Sequence, residues 1–206
     1  GEVFDWLRAL QSEGLIKHFG ASVESMEEAR TCLKHDDVTA LQIIFNIFRQ
    51  KPIDELFDMA REKGVALIIR LPLASGLLAG KYTPGTSFPA EDHRNYNRDG
   101  NAFNVGETFA GIPFGTAVEL TQELKGLLGI QGDASATGEG VGMADMAIRW
   151  ILDHPAVTTV IPGASKAAQA AGNVRASELP ELSVGVHERV REFYQSRVKE
   201  HIRGPY

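Results

Sequence analysis

Apolar residues along the chain alternate between two periods. Val3, Phe4, Leu7 and Leu10 recur at helical spacing and predict a helix over Val3–Leu10 that Gly14 stops. Ile16–Ala21 is a short strand, in which His18 reads as a polar strand residue rather than a catalytic base. Ser25 and Glu28 form a capping box for a helix over Met26–Lys34. The apolar run Ala40–Phe45 is a second strand, and its one polar residue, Gln42, needs a partner. Pro52 precedes and Gly64 follows a helix over Asp54–Lys63, and Val65–Ile69 is the third strand. From Thr83 to Ile112 the chain is polar and rich in Gly, Asn and Pro, too long for an ordinary connection, and predicts a functional loop or lid. Helices over Phe114–Leu128 and Met143–Asp153 flank a run of small residues at 129–142 that predicts a flexible loop. Thr158–Ile161 is the fourth strand, and Ser165 is placed to cap a helix over Lys166–Arg175. Ser183 caps a terminal helix reaching about Arg203. Strands alternating with helices in this way predict a single α/β domain over residues 1–206, with a parallel sheet and helices outside it.

Charge and cysteine usage narrow the function. The formal net charge of −6 argues against a nucleic-acid or anionic-membrane partner. No apolar run approaches the roughly 18–20 residues of a membrane span, and no signal peptide is visible. Cys32 is the only cysteine, so no intrachain disulfide forms, and a reduced, cytoplasmic setting is expected. The six histidines show no metal-ligand spacing. The chain opens on Gly1 and runs directly into helix, an expectation of sequence upstream.

Two stretches carry candidate chemistry. In Ala66–Tyr82 an apolar strand leads into a loop with Gly76 and Gly80 just before Lys81, the way an α/β protein builds an anion site at a strand tip. The helix following Ser165 offers first-turn backbone N–H groups, a second anion site.

The wording of these stretches resembles the aldo-keto reductases. PLASGLLAGKY (72–82) is similar to that family's segment after the seventh strand of its (β/α)8 barrel. EGLIKHFGAS (13–22) resembles the segment at strand five, Leu41–Asn46 strand six, and Asp92-His93-Arg94 the following D-x-R element. AIRWILDHP (147–155) and VIPGASKAAQAAGN (160–173) resemble the segments before and at strand eight. The resemblance implies the C-terminal half of a TIM barrel, strands five to eight, and a site for NADP(H). Ser22 and Gln42 would hydrogen-bond the nicotinamide carboxamide, since an amide needs both a donor and an acceptor. Arg70 stands where the family often stacks an aromatic on the nicotinamide, and a guanidinium plane can stack as well. Leu73, Gly76 and Lys81 would line the pyrophosphate, with Arg94 closing over it. Gly163, Ser165, Gln169 and Asn173 would hold the adenosine end. Gly172 replaces a usual Glu, and Val23 a usual polar residue.

The family's chemistry uses an Asp, a Tyr, a Lys and a His from strands two to four. None of Tyr82, Tyr96, Tyr194 and Tyr206 sits in a matching motif, so no catalytic residue is assigned. The resemblance thus implies the cofactor-binding half of an oxidoreductase that reduces aldehydes or ketones. The alternative is a non-catalytic nucleotide-binding or regulatory half barrel. Open sheet edges would pair with an N-terminal half, a second copy or another chain.

Overall fold

The computed structural model describes residues 2–130 and 140–206, so the middle of the expected small-residue loop, 131–139, lies outside the described residues. Helix α1 (Glu2–Ser12) leads to β1 (Gly20–Ser22), α2 (Met26–Cys32), β2 (Ala40–Ile44), α3 (Lys51–Glu55), α4 (Phe57–Glu62) and β3 (Ala66–Arg70). Then come α5 (His93–Tyr96), α6 (Phe114–Leu127), α7 (Met143–Leu152), β4 (Val157–Val160), α8 (Ala167–Glu178) and α9 (Val184–Phe193). The strands form one parallel sheet in the order β1-β2-β3-β4.

The two faces of the sheet differ because side chains alternate along each strand. Leu41, Ile43, Leu67 and Ile69 are at most 1% exposed and pack beneath the helices. The other face carries a row set by the register, Ser22, Gln42, Ile68 and Thr159, from half-buried to exposed. A parallel sheet ordinarily buries both faces; this one leaves its second face open among the described residues.

Several boundaries differ from the sequence expectation. The strand expected over Ile16–Ala21 is confined to Gly20–Ser22, because only these residues find partners on β2, Gly20 opposite Ala40 and Ser22 opposite Gln42. The helix expected over Asp54–Lys63 starts earlier and breaks at Leu56, whose backbone turns aside (φ −133, ψ −39) as its side chain enters the core at 1% exposure. The capping box at Ser25 forms as expected. Ser165 does not cap α8. The cap position falls to Lys166, and the Gln169 carboxamide folds back to accept from the N–H groups of Ser165 (2.8 Å) and Lys166 (3.1 Å). The terminal helix stops at Phe193 and continues as a π turn, Tyr194–Val198, and a 3-10 turn, Lys199–His201.

The long polar stretch after β3 is a packed cover. It contains α5 and short 3-10 turns, and Asn97, Thr108, Phe109 and Ile112 are fully buried. Residues 203–206 strap it down. Arg203 donates from its backbone N–H and its Nε to Gly111 O, at 3.2 and 2.9 Å. Tyr206 lies under the guanidinium of Arg49, 4.3 Å from the ring centre, and its main-chain oxygen accepts from Lys51 Nζ at 2.6 Å. Arg49 is 1% exposed and donates to the carbonyls of Ala110 (3.4 Å) and Pro205 (3.3 Å). Burial lowers its pKa to about 10, which still leaves it a cation at neutral pH.

Candidate functional site

The C-terminal ends of β1, β2 and β3 meet on the open face. Ser22 Oγ donates to Gln42 Oε1 at 3.4 Å, and Val23 N–H donates to Gln42 O at 3.0 Å. Arg70 ends β3 and reaches across the end of β2, so that its Nη2 donates to Val23 O at 3.4 Å. Its Nη1 meets the Glu107 carboxylate, and the two side chains are 12% and 22% exposed. Arg70 Nε is buried and has no partner among the described residues.

Beyond Arg70 the chain enters a tight turn in which Leu71, Ala74 and Ser75 all have positive φ (53, 47 and 58°), followed by Gly76 at 93°. Left-handed backbone of this kind persists only where surrounding contacts over-determine it. Tyr82 supplies some of those contacts. Its hydroxyl donates to Ser75 O at 3.1 Å and accepts from Arg94 Nη1 at 2.7 Å. The same hydroxyl presses on Gly76, where an added Cβ would lie 2.4 Å from it. Ser75 Oγ donates to Glu107 O (3.0 Å) and accepts from Phe109 N–H (3.3 Å), which fastens the long cover to the turn.

Arg94 is anchored in this arrangement by one N–H of each guanidinium nitrogen. Asp92 takes its Nε at 2.9 Å and its Nη2 at 2.5 Å, and the guanidinium lies 4.5 Å from the centre of the Phe88 ring. The hydrogen bonds from Arg94 hold the Asp92 carboxyl down at about 2. Lys81 is exposed just past the turn.

The third group lies at the start of α8. Gly163, Ser165 and Gln169 are exposed there, and Asn173 is half-buried one turn on. Besides the two N–H groups, Gln169 Oε1 accepts from Ser165 Oγ at 3.1 Å. The amides of Ala167 and Ala168 open the helix and have no acceptor within it.

Eleven residues were expected at a cofactor site. Ser22, Gln42 and Arg70 come together at the strand ends. Gly76 and Arg94 meet through Tyr82, in the turn that Leu73 opens. Gly163, Ser165, Gln169 and Asn173 share the start of α8. Sequence reasoning passed over Glu107, Tyr82 and Ser75. Glu107 lies within a polar stretch, and no spacing pattern ties it to Arg70, 37 residues earlier. The residues present suit an amide-bearing dinucleotide: a hydroxyl and a carboxamide side by side, a guanidinium that reaches the carbonyl of Val23, the residue after Ser22, and first-turn helix amides at the start of α8. Among the described residues no group of three or more His, Cys, Asp or Glu could hold a metal ion. No helix of the described residues is long and apolar enough to cross a membrane.

The sequence pattern of the Aldo/keto reductase family matches residues 1–195, and the chain belongs to that family of oxidoreductases, which generally use nicotinamide cofactors. It is 31% identical over 160 residues to a probable voltage-gated potassium channel subunit beta of Oryza sativa subsp. japonica, covering 75% of this chain and 43% of that protein. It is 34% identical over 121 residues to the L-glyceraldehyde 3-phosphate reductase of Escherichia coli K12, covering 59% of this chain and 31% of that enzyme. The glycerol dehydrogenase AKR11B4 from Gluconobacter oxydans shares the fold, with a TM-score of 0.67 at 22% identity over 97% of this chain and 55% of that one. The chain spans about half the length of the curated relatives it matches, and its parallel β/α units form part of a TIM barrel.

Proposed function

We propose that the chain is the NADP(H)-binding part of an aldo-keto reductase whose complete barrel reduces aldehydes or ketones to alcohols in the cytoplasm. One observation carries the reading: Ser22 and Gln42 lie side by side at 3.4 Å on the open face, with Arg70 reaching across the strand ends to Val23. The cofactor supplies the hydride when bound. Ser22 and Gln42 hold its carboxamide, the turn at Leu73 and Gly76 with Lys81 and Arg94 faces its pyrophosphate, and Gly163, Ser165, Gln169 and Asn173 hold the adenosine end. Gln169 must release the amides of Ser165 and Lys166 for those to meet a phosphate. Among the described residues we assign none to protonate the carbonyl oxygen. Tyr82 is committed to Ser75 and Arg94, and Tyr194 to Tyr206.

A second reading, a nucleotide-binding half barrel that pairs with another chain without turnover, is favoured by the outer edges of β1 and β4, which meet no strand among the described residues. The test is a titration with NADPH followed by nicotinamide fluorescence, with the molecular mass measured in the same buffer and carbonyl reduction assayed alongside. Saturable binding without turnover is the expected result. Cofactor-dependent turnover by the 206-residue chain would overturn the assignment of catalysis to the rest of the barrel. A folded chain that binds no NADPH would overturn the cofactor reading.

A further inference from the structure

The pair Arg70–Glu107 joins two strained turns. Leu71, Ala74 and Ser75 follow Arg70 with φ of 53, 47 and 58°, and Phe109 and Ala110 follow Glu107 with φ of 53 and 58°. Each such residue costs on the order of 1–3 kcal/mol, so strong contacts must hold both turns. On the Glu107 side those contacts are specific. Ser75 Oγ bridges Glu107 O and Phe109 N–H, and Asn104 Oδ1 accepts from Gly106 N–H at 2.7 Å. Gly106 itself lies against the buried Arg49, where an added Cβ would be 2.1 Å from Nη1. The backbone of Glu107 is therefore fixed on both sides, and its carboxylate is delivered to Arg70.

Arg70 has less to hold it. Its other guanidinium bond, to Val23 O, is long at 3.4 Å, and its Nε has no partner among the described residues. Val23 follows β1 while Arg70 ends β3, so the side chain spans about two strand spacings of ~4.8 Å each and crosses the end of β2 near the Ser22–Gln42 pair. A long side chain with one weak anchor would spread over many rotamers. The Glu107 carboxylate is the charge-assisted partner that selects one of them.

We infer that Glu107 is a positioning residue: it pins the guanidinium plane of Arg70 beside Ser22 and Gln42, where Arg70 meets the nicotinamide end of the dinucleotide. This rests on the cofactor reading above. It also makes the long cover part of the binding site, because the carboxylate that orients Arg70 comes from it.

Two ligands separate this role from a general one in folding: NADPH, and adenosine 2′,5′-bisphosphate, which lacks the nicotinamide end. Both are titrated against the 206-residue chain and its variants Glu107→Gln, Arg70→Met and the double variant, with thermal melts recorded for each. Glu107→Gln is expected to weaken NADPH binding about ten-fold and to leave the bisphosphate within about two-fold. In the Arg70→Met background, adding Glu107→Gln should have no further effect on NADPH, since Glu107 acts through Arg70. Equal weakening of both ligands, no change in NADPH affinity, or a loss that persists without Arg70 would each overturn the role of Glu107. A wild-type chain that binds neither ligand would overturn the cofactor reading and this inference with it.

Discussion

Replacing Gly76 with Ala tests the packing of the turn after β3. Two effects add. Gly76 sits at φ 93°, where an L side chain costs about 1–2 kcal/mol. The new Cβ would also lie 2.4 Å from Tyr82 Oη and 3.1 Å from its Cζ, so the ring must move. Moving it stretches the bond to Ser75 O, worth about 1 kcal/mol, and the charge-assisted bond from Arg94, worth about 1–2 kcal/mol after solvent screening. Gly76→Ala should therefore destabilise the chain by about 3–5 kcal/mol, a large part of the 5–15 kcal/mol typical of a domain. Tyr82→Phe removes the hydroxyl, loses the same two bonds, and should cost about 2–3 kcal/mol. In that background the collision at 2.4 Å is gone, and Gly76→Ala should cost only about 1–2 kcal/mol. The assay is urea unfolding of the four proteins, followed by the fluorescence of Trp6 and Trp150. The refuting result is additivity within about 0.5 kcal/mol, which would mean that Tyr82 and Gly76 do not meet as described.

Two further predictions concern pH. His154 is half-buried, with Nδ1 2.9 Å from Trp150 O, and desolvation lowers its pKa below the ordinary 6.5, opposed by the bond to Trp150 O and by Asp153 and reinforced by His187. Its contribution is complete above that value. Below it the unfolded chain takes up a proton that the folded chain resists, so stability falls by up to about 1.4 kcal/mol per pH unit until the folded-state pKa is reached. The urea midpoint of the wild type should drop between pH 7 and 5 more than that of His154→Gln; parallel slopes would refute this. Asp92 is held at about 2 by Arg94, so the stability it contributes is present above the ordinary 3.8 and lost as pH falls through about 2. Asp92→Asn should lower stability by about 1 kcal/mol at neutral pH, and should have no effect in strong acid; a carboxyl that titrates near 4 by NMR would contradict it.

The sheet was legible because its signal is local. Ala40–Ile44 and Ala66–Arg70 are apolar runs bounded by turn residues, and both strands fall within one residue of the expected limits. Ser22, Gln42 and Arg70 were expected in one site because their neighbours carry family wording, and the structure sets them at the ends of adjacent strands. What binds Arg70 was not, because Glu107 reaches it through tertiary folding and no periodicity records such a meeting. Leu56 shows the same limit. Its sequence neighbours 53–59 contain neither Gly nor Pro, yet the helix breaks there with Leu56 buried in the core. Ser165 shows how a good cap residue is diverted: its hydroxyl donates to the carboxamide of Gln169, which also accepts from the amides of Ser165 and Lys166, and the cap position moves one residue on. The cover between Thr83 and Ile112 was expected as a loop because its composition is polar, but polarity did not reveal that Asn97 and Thr108 are buried and bonded to each other at 3.1 Å.

The strap formed by residues 203–206 has a consequence for how the protein is made. Arg49 waits 156 residues for the carbonyl of Pro205, and Gly111 waits 92 for Arg203. At translation speeds of about 5–20 residues per second, Arg49 is added to the chain roughly 8–30 seconds before Pro205. Through that interval its guanidinium remains in water, and the segment carrying Glu107 lacks the clamp that seats it. The sheet can assemble while the chain is still growing, whereas the mouth above it is finished only after Tyr206 has been added. The order of synthesis therefore makes the four-stranded sheet available before the strap that closes over it, and the unstrapped cover is the region a chaperone or a protease would meet.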